Sequence, residues 1–200
     1  MTTTANQRKV LAILAGGLVL GIGTAVTLAA WNDSEFANGT FQAGAFNLEG
    51  SATSAAAGWG EHAAAPGAAL TFTLPLAGNL SPTDTVYAPF WVRLDSTTTS
   101  DATVTTSLES GTGANATNIS YAVYALDEAD ACDGSATTNG TLLLSGSTLS
   151  ASTAGATFDL AHGTGVAGAA QKVCFIATAG AGLTEGGAAT GVWEFAAESN

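Results

Sequence analysis

The sequence has little positive charge. Its 200 residues include 4 lysines and arginines against 16 aspartates and glutamates, which gives a formal net charge of −12 at pH 7. A surface of this sign repels nucleic-acid phosphates and anionic lipid headgroups. Nucleic acid is therefore excluded as a partner, and the acidity favours solubility or contacts that are bridged by cations.

Residues that commonly do chemistry are also scarce. The two histidines, His62 and His162, belong to no HExxH zinc-protease pattern, and we expect both to be solvated loop residues. The sequence contains neither a GxSxG nucleophile elbow nor a glycine-rich loop followed by a phosphate-binding lysine. We therefore predict that the protein is not an enzyme and that it has no required cofactor.

The N-terminal 30 residues have the three parts of a secretory signal peptide. A polar stretch with two basic residues precedes the apolar run VLAILAGGLVLGIGTAVT, and small residues follow it before Trp31. A small side chain must fit the signal peptidase at the −1 position, so we expect cleavage after Ala29 or Ala30. Residues 1–30 would then be a cleaved signal helix, and the mature chain would be secreted and free of the membrane. A transmembrane anchor is the alternative, because the apolar run is nearly long enough to span a bilayer.

Cysteine is limited to one pair, Cys132 and Cys174, and both lie in the exported part of the chain. An even pair in an oxidising compartment favours a disulfide over free thiols. Chain-entropy models give about 4 kcal/mol of stabilisation for closing a loop of this length. We therefore predict a Cys132–Cys174 disulfide.

Past residue 30, apolar residues alternate with polar ones in short runs that are separated by Gly, Ser, Thr, Asn and Asp. This pattern and spacing predict an all-β protein, an antiparallel two-sheet sandwich of about eight strands. Residues 70–76 and 86–94 are the clearest strands, while 50–69 and 146–155 are predicted loops. Pro89 cannot donate to a β-ladder, so it predicts a sheet edge or a bulge at that point. The other predicted strands are 102–108, 119–126, 141–144, 157–160, 172–177 and 191–197.

An acidic stretch at residues 127–134 is the candidate ion site. Hard oxygen ligands in a tight loop that ends in glycine suit Ca²⁺, and the candidate ligands are Asp127, Asp130 and Asp133. The spacing does not match an EF-hand, and Cys132 lies within the stretch. A solvated acidic turn without a metal is the alternative.

The segment that follows the predicted cleavage point, residues 31–48, is rich in large apolar side chains. It is either the first strand of its own domain or a strand that inserts into the sheet of a neighbouring subunit. In the second case, backbone hydrogen bonds would provide affinity and alternate side chains would fill pockets. The side chains change face near Gly44, which predicts a bulge there. The candidate donor-strand residues are Trp31, Phe36, Phe41, Ala43, Phe46 and Leu48.

The same segment carries a family resemblance. The leader contains Gly-x-Gly-Thr and is followed by Trp31-Asn32-Asp33, which resembles exported proteins processed by the SipW-type signal peptidase. Residues 41–48, FQAGAFNL, resemble the Phe-x-small-Gly-small-apolar-Asx-Leu strand of the TasA/camelysin family of biofilm-matrix proteins. A turn at residues 80–84 and a closing aromatic strand at 192–195 are similar in kind.

The resemblance implies a jelly-roll-like sandwich at the cell surface and fibres in which the N-terminal segment of one subunit completes the sheet of the next. The camelysin branch is labelled a protease, but this sequence has no ligand set for that activity. We therefore expect a structural protein, with a donor strand at 31–48 and a sandwich domain at 49–200. Its partners would be copies of itself and, during export, the signal peptidase. The alternative is a monomeric surface module in which Tyr87, Trp91 and Trp59 stack on sugars.

Overall fold

The chain forms two compact units, Met1–Gln42 and Ala43–Asn200. In the first unit, helix α1 (Thr3–Gly23) falls within the predicted leader. None of the helices in the described part of the chain combines the length and apolarity needed to cross a bilayer. Cleavage after Ala29 or Ala30 stays a prediction, because those residues lie outside the described part. The computed structural model describes residues 3–23, 34–35, 37–40, 42–73 and 78–200.

The second unit is built from antiparallel β-strands arranged in two sheets, which confirms the predicted all-β sandwich. Its described residues contain nine strands: β1 (Leu48–Ser51), β2 (Thr85–Leu94), β3 (Ala102–Thr112), β4 (Ile119–Leu126), β5 (Thr141–Thr148), β6 (Ala151–Ala154), β7 (Phe158–Leu160), β8 (Gln171–Ala179) and β9 (Thr190–Ser199). The larger sheet has the order β1-β2-β8-β4-β5-β6, and the smaller sheet has the order β7-β3-β9. A short helix, α2 (Ala136–Asn139), precedes β5.

Seven of the strands, all except β1 and β6, coincide with predicted ones. β6 lies in a region that was predicted to be a loop. It was not predicted as a strand because its residues, Ala-Ser-Thr-Ala, are small and show no apolar alternation. The strand predicted at 70–76 is not found in residues 70–73, which lie beside β2 and make one backbone bond to it, from Thr73 N to Tyr87 O (3.0 Å). Residues 74–76 lie outside the described part of the chain.

The position of Pro89 within β2 agrees with the predicted sheet edge. Tyr87 O accepts a bond from Thr73 N, and Tyr87 N donates to Thr73 Oγ1. Alternate residues of a strand direct their N and O atoms to the same side, so those of Pro89 face the same side of β2 as those of Tyr87. β1 covers this side of β2 only from Trp91 to Leu94. The missing N–H group of Pro89 therefore falls on a side of β2 where none of the described strands pairs with it.

The core lies between the two sheets. Alternation along residues 86–94 places five residues on one face of β2, and all five are buried: Val86, Ala88, Phe90, Val92 and Leu94. Aromatic rings of β9 cover the centre of the larger sheet: Trp193 packs on Phe175 with 4.9 Å between ring centroids, and Phe195 stacks on Phe90 at 5.8 Å. Burial of each large apolar side chain contributes about 1.5–3 kcal/mol. These rings join the buried side chains of β3 and β7, Ala102, Val104 and Leu160, in holding the smaller sheet against the larger one.

The predicted disulfide between Cys132 and Cys174 is confirmed. It joins the β4–β5 connection to the outer face of β8, where a second apolar cluster includes Leu126 and Ile176. The acidic stretch is therefore tied to the sheet on the side opposite the main core.

Candidate functional site

The N-terminal segment joins the sandwich at residues 45–47. Ala45 O accepts a hydrogen bond from Thr99 N (3.0 Å), and Asn47 O accepts one from Asp95 N (3.1 Å). Asn47 N in turn donates to Thr98 Oγ1 (2.9 Å). The chain then continues as β1, in which Leu48 pairs with Leu94. Leu48–Ser51 thus belong to the chain's own sheet.

The carboxylate of Asp95 organises this junction. Its Oδ1 accepts hydrogen bonds from Thr97 N (2.9 Å) and Thr98 Oγ1 (3.0 Å), and its Oδ2 accepts one from Asn47 Nδ2 (3.3 Å). Burial acts to raise the pKa of Asp95, but bonds from Thr97, Asn47 and Thr98 outweigh it and lower the pKa to about 2. We call Asn47, Asp95, Thr97 and Thr98 the Asn47 clasp.

The clasp is not predicted from the sequence, although part of it has a local signal. An aspartate followed two residues later by threonine, as at Asp95 and Thr97, is typical of an Asx turn after a strand. The partnership with Asn47 has no such signal, since Asn47 and Thr98 lie far apart in sequence.

Gly44 lies just upstream of the clasp and passes very close to the β2–β3 connection. A Cβ atom added at Gly44 would overlap Thr99 Oγ1. A larger residue at this position would therefore require the exposed Thr99 side chain to move. The predicted change of face near Gly44 coincides with this contact.

The predicted donor residues fall into three groups. Trp31, Phe36 and Phe41 lie outside the described part of the chain. Ala43 and Phe46 are exposed, Phe46 by 41%. Leu48 begins β1 and packs against the main core. The side chains upstream of Asn47 that the structure describes are therefore not covered by the sandwich.

β9 presents a long open edge. It spans 10 residues and pairs with β3 on one side, and no described residue pairs with its other side. By contrast, the outer edge of β1 is bridged by two backbone bonds between Gly50 and Gly60 (both 3.0 Å). The remaining edge strands, β6 and β7, have 4 and 3 residues. Long unpaired edges are the surfaces on which further strands add.

The interior beneath β9 is incompletely closed. Val104 and Thr106 of β3 are buried, but their cross-strand neighbours Ala197 and Phe195 of β9 are only half-buried. Trp193, on the same face, is also half-buried. Solvent exposure therefore rises from β3 to β9, as expected if a further strand covers the outer side of β9.

The three candidate Ca²⁺ ligands are not brought together. Among the described residues, no group of three or more His, Cys, Asp or Glu side chains could hold a metal ion. Asp133 Oδ1 accepts bonds from Ser135 Oγ (2.6 Å) and Ser135 N (2.8 Å), which lower the pKa of Asp133. Asp130 Oδ1 accepts a bond from Asn139 Nδ2 (3.2 Å). Ca²⁺ binding at Asp127, Asp130 and Asp133 stays a prediction.

A lysine ammonium group lies against the backbone of the acidic stretch. Lys172 Nζ donates to Asp130 O (2.7 Å) and to Glu128 O (3.3 Å). The Glu128 side chain accepts a bond from Trp91 Nε1 (2.7 Å). The acidic stretch is thereby fixed over the outer face of β2.

The acidic stretch over the outer face of β2 changes the expected role of Trp91. Alternation predicts it on the outer face of β2, but its side chain is buried beneath the acidic stretch. Trp59 also has a partner, because the Arg93 guanidinium lies 3.9 Å from the centre of its ring. A shallow groove of about 390 Å³ remains beside Phe72, Tyr87 and Pro89.

Both histidines are exposed loop residues, as predicted. His162 Nδ1 lies 2.7 Å from Asp101 Oδ1, which also accepts a bond from His162 N (2.9 Å). These bonds, first of all the one from the backbone, lower the pKa of Asp101. The pair links the chain after β7 to the residue before β3, which gives it a structural role.

Two features of the described surface stand out as candidate functional sites. One is the Asn47 clasp with the exposed residues upstream of it, and the other is the open edge of β9. Both features offer backbone N–H and C=O groups and apolar side chains, which are the groups that bind an added strand. Comparison with known proteins assigns neither feature, since no protein-family model matches the chain and no curated protein matches it.

Proposed function

We propose that the protein is a secreted structural subunit that assembles into a surface or biofilm-matrix filament by N-terminal strand donation. The observation that carries the proposal is the open edge of β9, together with the half-buried apolar side chains of that strand. The resemblance of residues 41–48 to the TasA/camelysin strand motif supports the same function. The proposal involves no catalytic residue.

The acceptor in this proposal is β9. A strand extends about 3.3 Å per residue, so the segment at residues 31–44 is long enough to lie along the whole edge. Its backbone would satisfy the unpaired N–H and C=O groups of β9. Its alternate side chains would cover Trp193 and Phe195, so that affinity would come from main-chain bonds and from apolar burial.

The donor in this proposal lies upstream of the Asn47 clasp. Leu48–Ser51 pair with β2 of the same chain, so the end of the segment 31–48 begins the chain's own domain. Only the part before the clasp would then be the strand donated to a neighbour. Residues from Asn47 onward start the chain's own sheet, while residues 31–44 would be donated. Donor and acceptor are then different surfaces of one chain, and such head-to-tail contacts build open filaments.

The finer fold and the route of export belong to the same proposal. An added strand would extend the smaller sheet from three strands to four and would complete a jelly-roll-like sandwich. Export would use the apolar leader, with cleavage after Ala29 or Ala30 exposing the donor segment. Reading the N-terminus of the secreted protein by mass spectrometry tests this step.

Deletion of the donor segment tests the function. We expect the mature chain, residues 31–200, to form filaments in electron micrographs, and a chain starting at Ala43 to stay soluble and monomeric. A matched variant in which residues 31–42 of the donor segment are scrambled controls for length and charge. Filaments of normal length from the shortened chain would refute strand donation.

The groove beside Tyr87 favours a second candidate, a monomeric module that binds sugars. Its walls include Phe72, Tyr87 and Pro89, with Lys172 at one side. Aromatic rings of this kind stack on the apolar faces of sugar rings. A single monomeric mass for the mature chain, together with glycan binding that is lost in Tyr87→Ala, would favour this function over the filament.

A further inference from the structure

We propose that Glu194 and Glu198 prevent the open edge of β9 from pairing with the β9 edge of a second copy of the chain. This inference rests on the proposed function, because the edge must then stay available for a donated strand. It concerns a side reaction that any long open edge allows. Natural sheets suppress edge-to-edge pairing with short edge strands, prolines, bulges or charged side chains.

The edge of β9 relies on charged side chains for this protection. Its sequence, TGVWEFAAES, spans 10 residues without a proline, and its charged residues are Glu194 and Glu198. The inner face of the strand carries Trp193, Phe195 and Ala197, and all three are half-buried. Without the two glutamates, β9 would therefore be a long apolar edge that suits pairing with a second copy of itself.

The two glutamates lie exposed on the outer face of β9, and no described cation forms an ion pair with them. Glu194 lies opposite Ser107 of β3, and Glu198 lies opposite Thr103. The Ser107 hydroxyl is 3.5 Å from Glu194 Oε2. The two basic side chains of the sandwich belong to β2 and β8 of the larger sheet and are already bonded there. The negative charge along this edge is therefore not compensated.

Antiparallel pairing of two β9 strands would place the glutamates of one copy beside those of the other. Cross-strand neighbours share a face, so a two-fold axis through one residue keeps Trp193 and Phe195 of both copies on the inner side. With the axis at Glu194, that residue lies opposite Glu194 of the second copy. With the axis at Ala196, Glu194 lies opposite Glu198 of the second copy. With the axis at Phe195, Glu194 lies diagonal to both glutamates of the second copy.

Each of these central registers brings like charges together. Directly opposite side chains are about 4.5–5.5 Å apart at Cβ, and diagonal neighbours are about 7–8 Å apart. Like charges at directly opposite positions destabilise the pairing, and two-fold symmetry repeats the contact between Glu194 and Glu198. A strand with uncharged side chains at the facing positions avoids this repulsion. The edge thus rejects a second β9 and accepts a strand of different sequence.

The test uses the chain that starts at Ala43, because the sandwich is a compact unit and no donor segment can then occupy β9. Sedimentation equilibrium compares the parent with two variants at equal ionic strength. One variant carries Glu194→Gln and Glu198→Gln, and the other carries Glu194→Lys and Glu198→Lys. The matched control carries Glu109→Lys and Glu185→Lys, which change the net charge equally at exposed positions outside β9. Urea unfolding verifies that each form is folded.

We expect the double glutamine variant to dimerise with a dissociation constant about tenfold lower than that of the parent, as expected for relieving two opposed charge pairs. The double lysine variant should not dimerise alone, because lysines then oppose lysines. Its equimolar mixture with the parent should form a heterodimer, since lysines of one copy then face glutamates of the other. A mixture of the control variant with the parent should stay monomeric.

Three results would overturn the inference. One is an equal dissociation constant for the parent and the double glutamine variant, and another is the absence of a heterodimer from the mixture with the double lysine variant. The third is equal heterodimer formation by the control, which would assign the effect to net charge and not to the edge. Failure of the mature parent chain to form filaments would instead refute the proposed function, so the two failures are distinguishable.

Discussion

Thr106 lies directly opposite Phe195 in the β3–β9 pair, and its buried hydroxyl has no hydrogen-bond partner among the described residues. Trp193 Nε1, two residues before Phe195 on the same face of β9, is likewise buried without a described hydrogen-bond partner. Unpaired buried polar groups cost free energy, so native proteins keep few of them. Trp193 belongs to β9, whose outer edge is open, and Thr106 belongs to the strand that pairs with it.

Replacing Thr106 by valine should stabilise the domain. The change removes an unsatisfied hydroxyl and keeps the shape, so we expect the free energy of unfolding to rise by about 1 kcal/mol. Urea denaturation of the mature chain measures this. Thr105→Val, at an exposed position of the same strand, is the control and should change stability by less than about 0.5 kcal/mol. A loss of stability in Thr106→Val would show that the hydroxyl has a partner.

Reducing the disulfide should weaken the domain substantially. Cys132 and Cys174 close a loop with a sequence separation of 42, and their bond ties to β8 the end of the acidic stretch whose Glu128 covers Trp91. We expect reduction to lower the free energy of unfolding by about 2–5 kcal/mol. Thermal unfolding with and without dithiothreitol measures the change. Unaltered melting after complete reduction, verified by thiol labelling, would contradict this expectation.

The clasp should make stability depend on acid pH through Asp95. Its folded-state pKa is lowered to about 2 from an ordinary 3.8, so its stabilising contribution is present above about pH 4. That contribution is lost as pH falls toward the folded-state pKa, because the unfolded chain then binds the proton more readily. Asp95→Asn should be less stable than the parent at pH 7, and the difference should shrink toward pH 2. A constant difference between pH 7 and pH 2 would contradict the expectation.

Assembly should strengthen with salt. Removal of the leader takes Arg8 and Lys9 away and changes the formal net charge from −12 to −14, so mature subunits repel one another, and screening reduces this repulsion. Raising ionic strength from about 10 mM to about 500 mM shortens the screening length from about 30 Å to about 4 Å. We expect the critical concentration measured by sedimentation to fall over this range. The same critical concentration at both ends would show that charge does not oppose assembly.

Local patterns were sufficient to predict most of the sandwich. The alternation of β2 predicts its buried face because strand residues alternate between the two sides of a sheet. The rule predicts the outward direction of Trp91 on β2 but not its burial, because Glu128 from a distant loop covers it. It also fails for β6, whose small residues are ordered by pairing with β5.

The candidate site was less accessible to sequence reasoning. The aromatic content of residues 31–48 directs attention to the right segment, but the boundary at Asn47 depends on its contacts with Asp95 and Thr98. The open edge of β9 depends on strand order, which no local pattern encodes. Contacts between residues that are distant in sequence therefore decide both the donor boundary and the acceptor.

Hydrogen exchange at β9 tests the central claim most directly. In the chain that starts at Ala43, the β9 amides that do not bond to β3 should exchange rapidly with solvent, because no described residue pairs with that edge. In filaments of the mature chain, the same amides should be protected at least about a hundredfold, the range of a cooperative strand in place of an open edge. Equally fast exchange at this edge in both forms would contradict strand donation to β9.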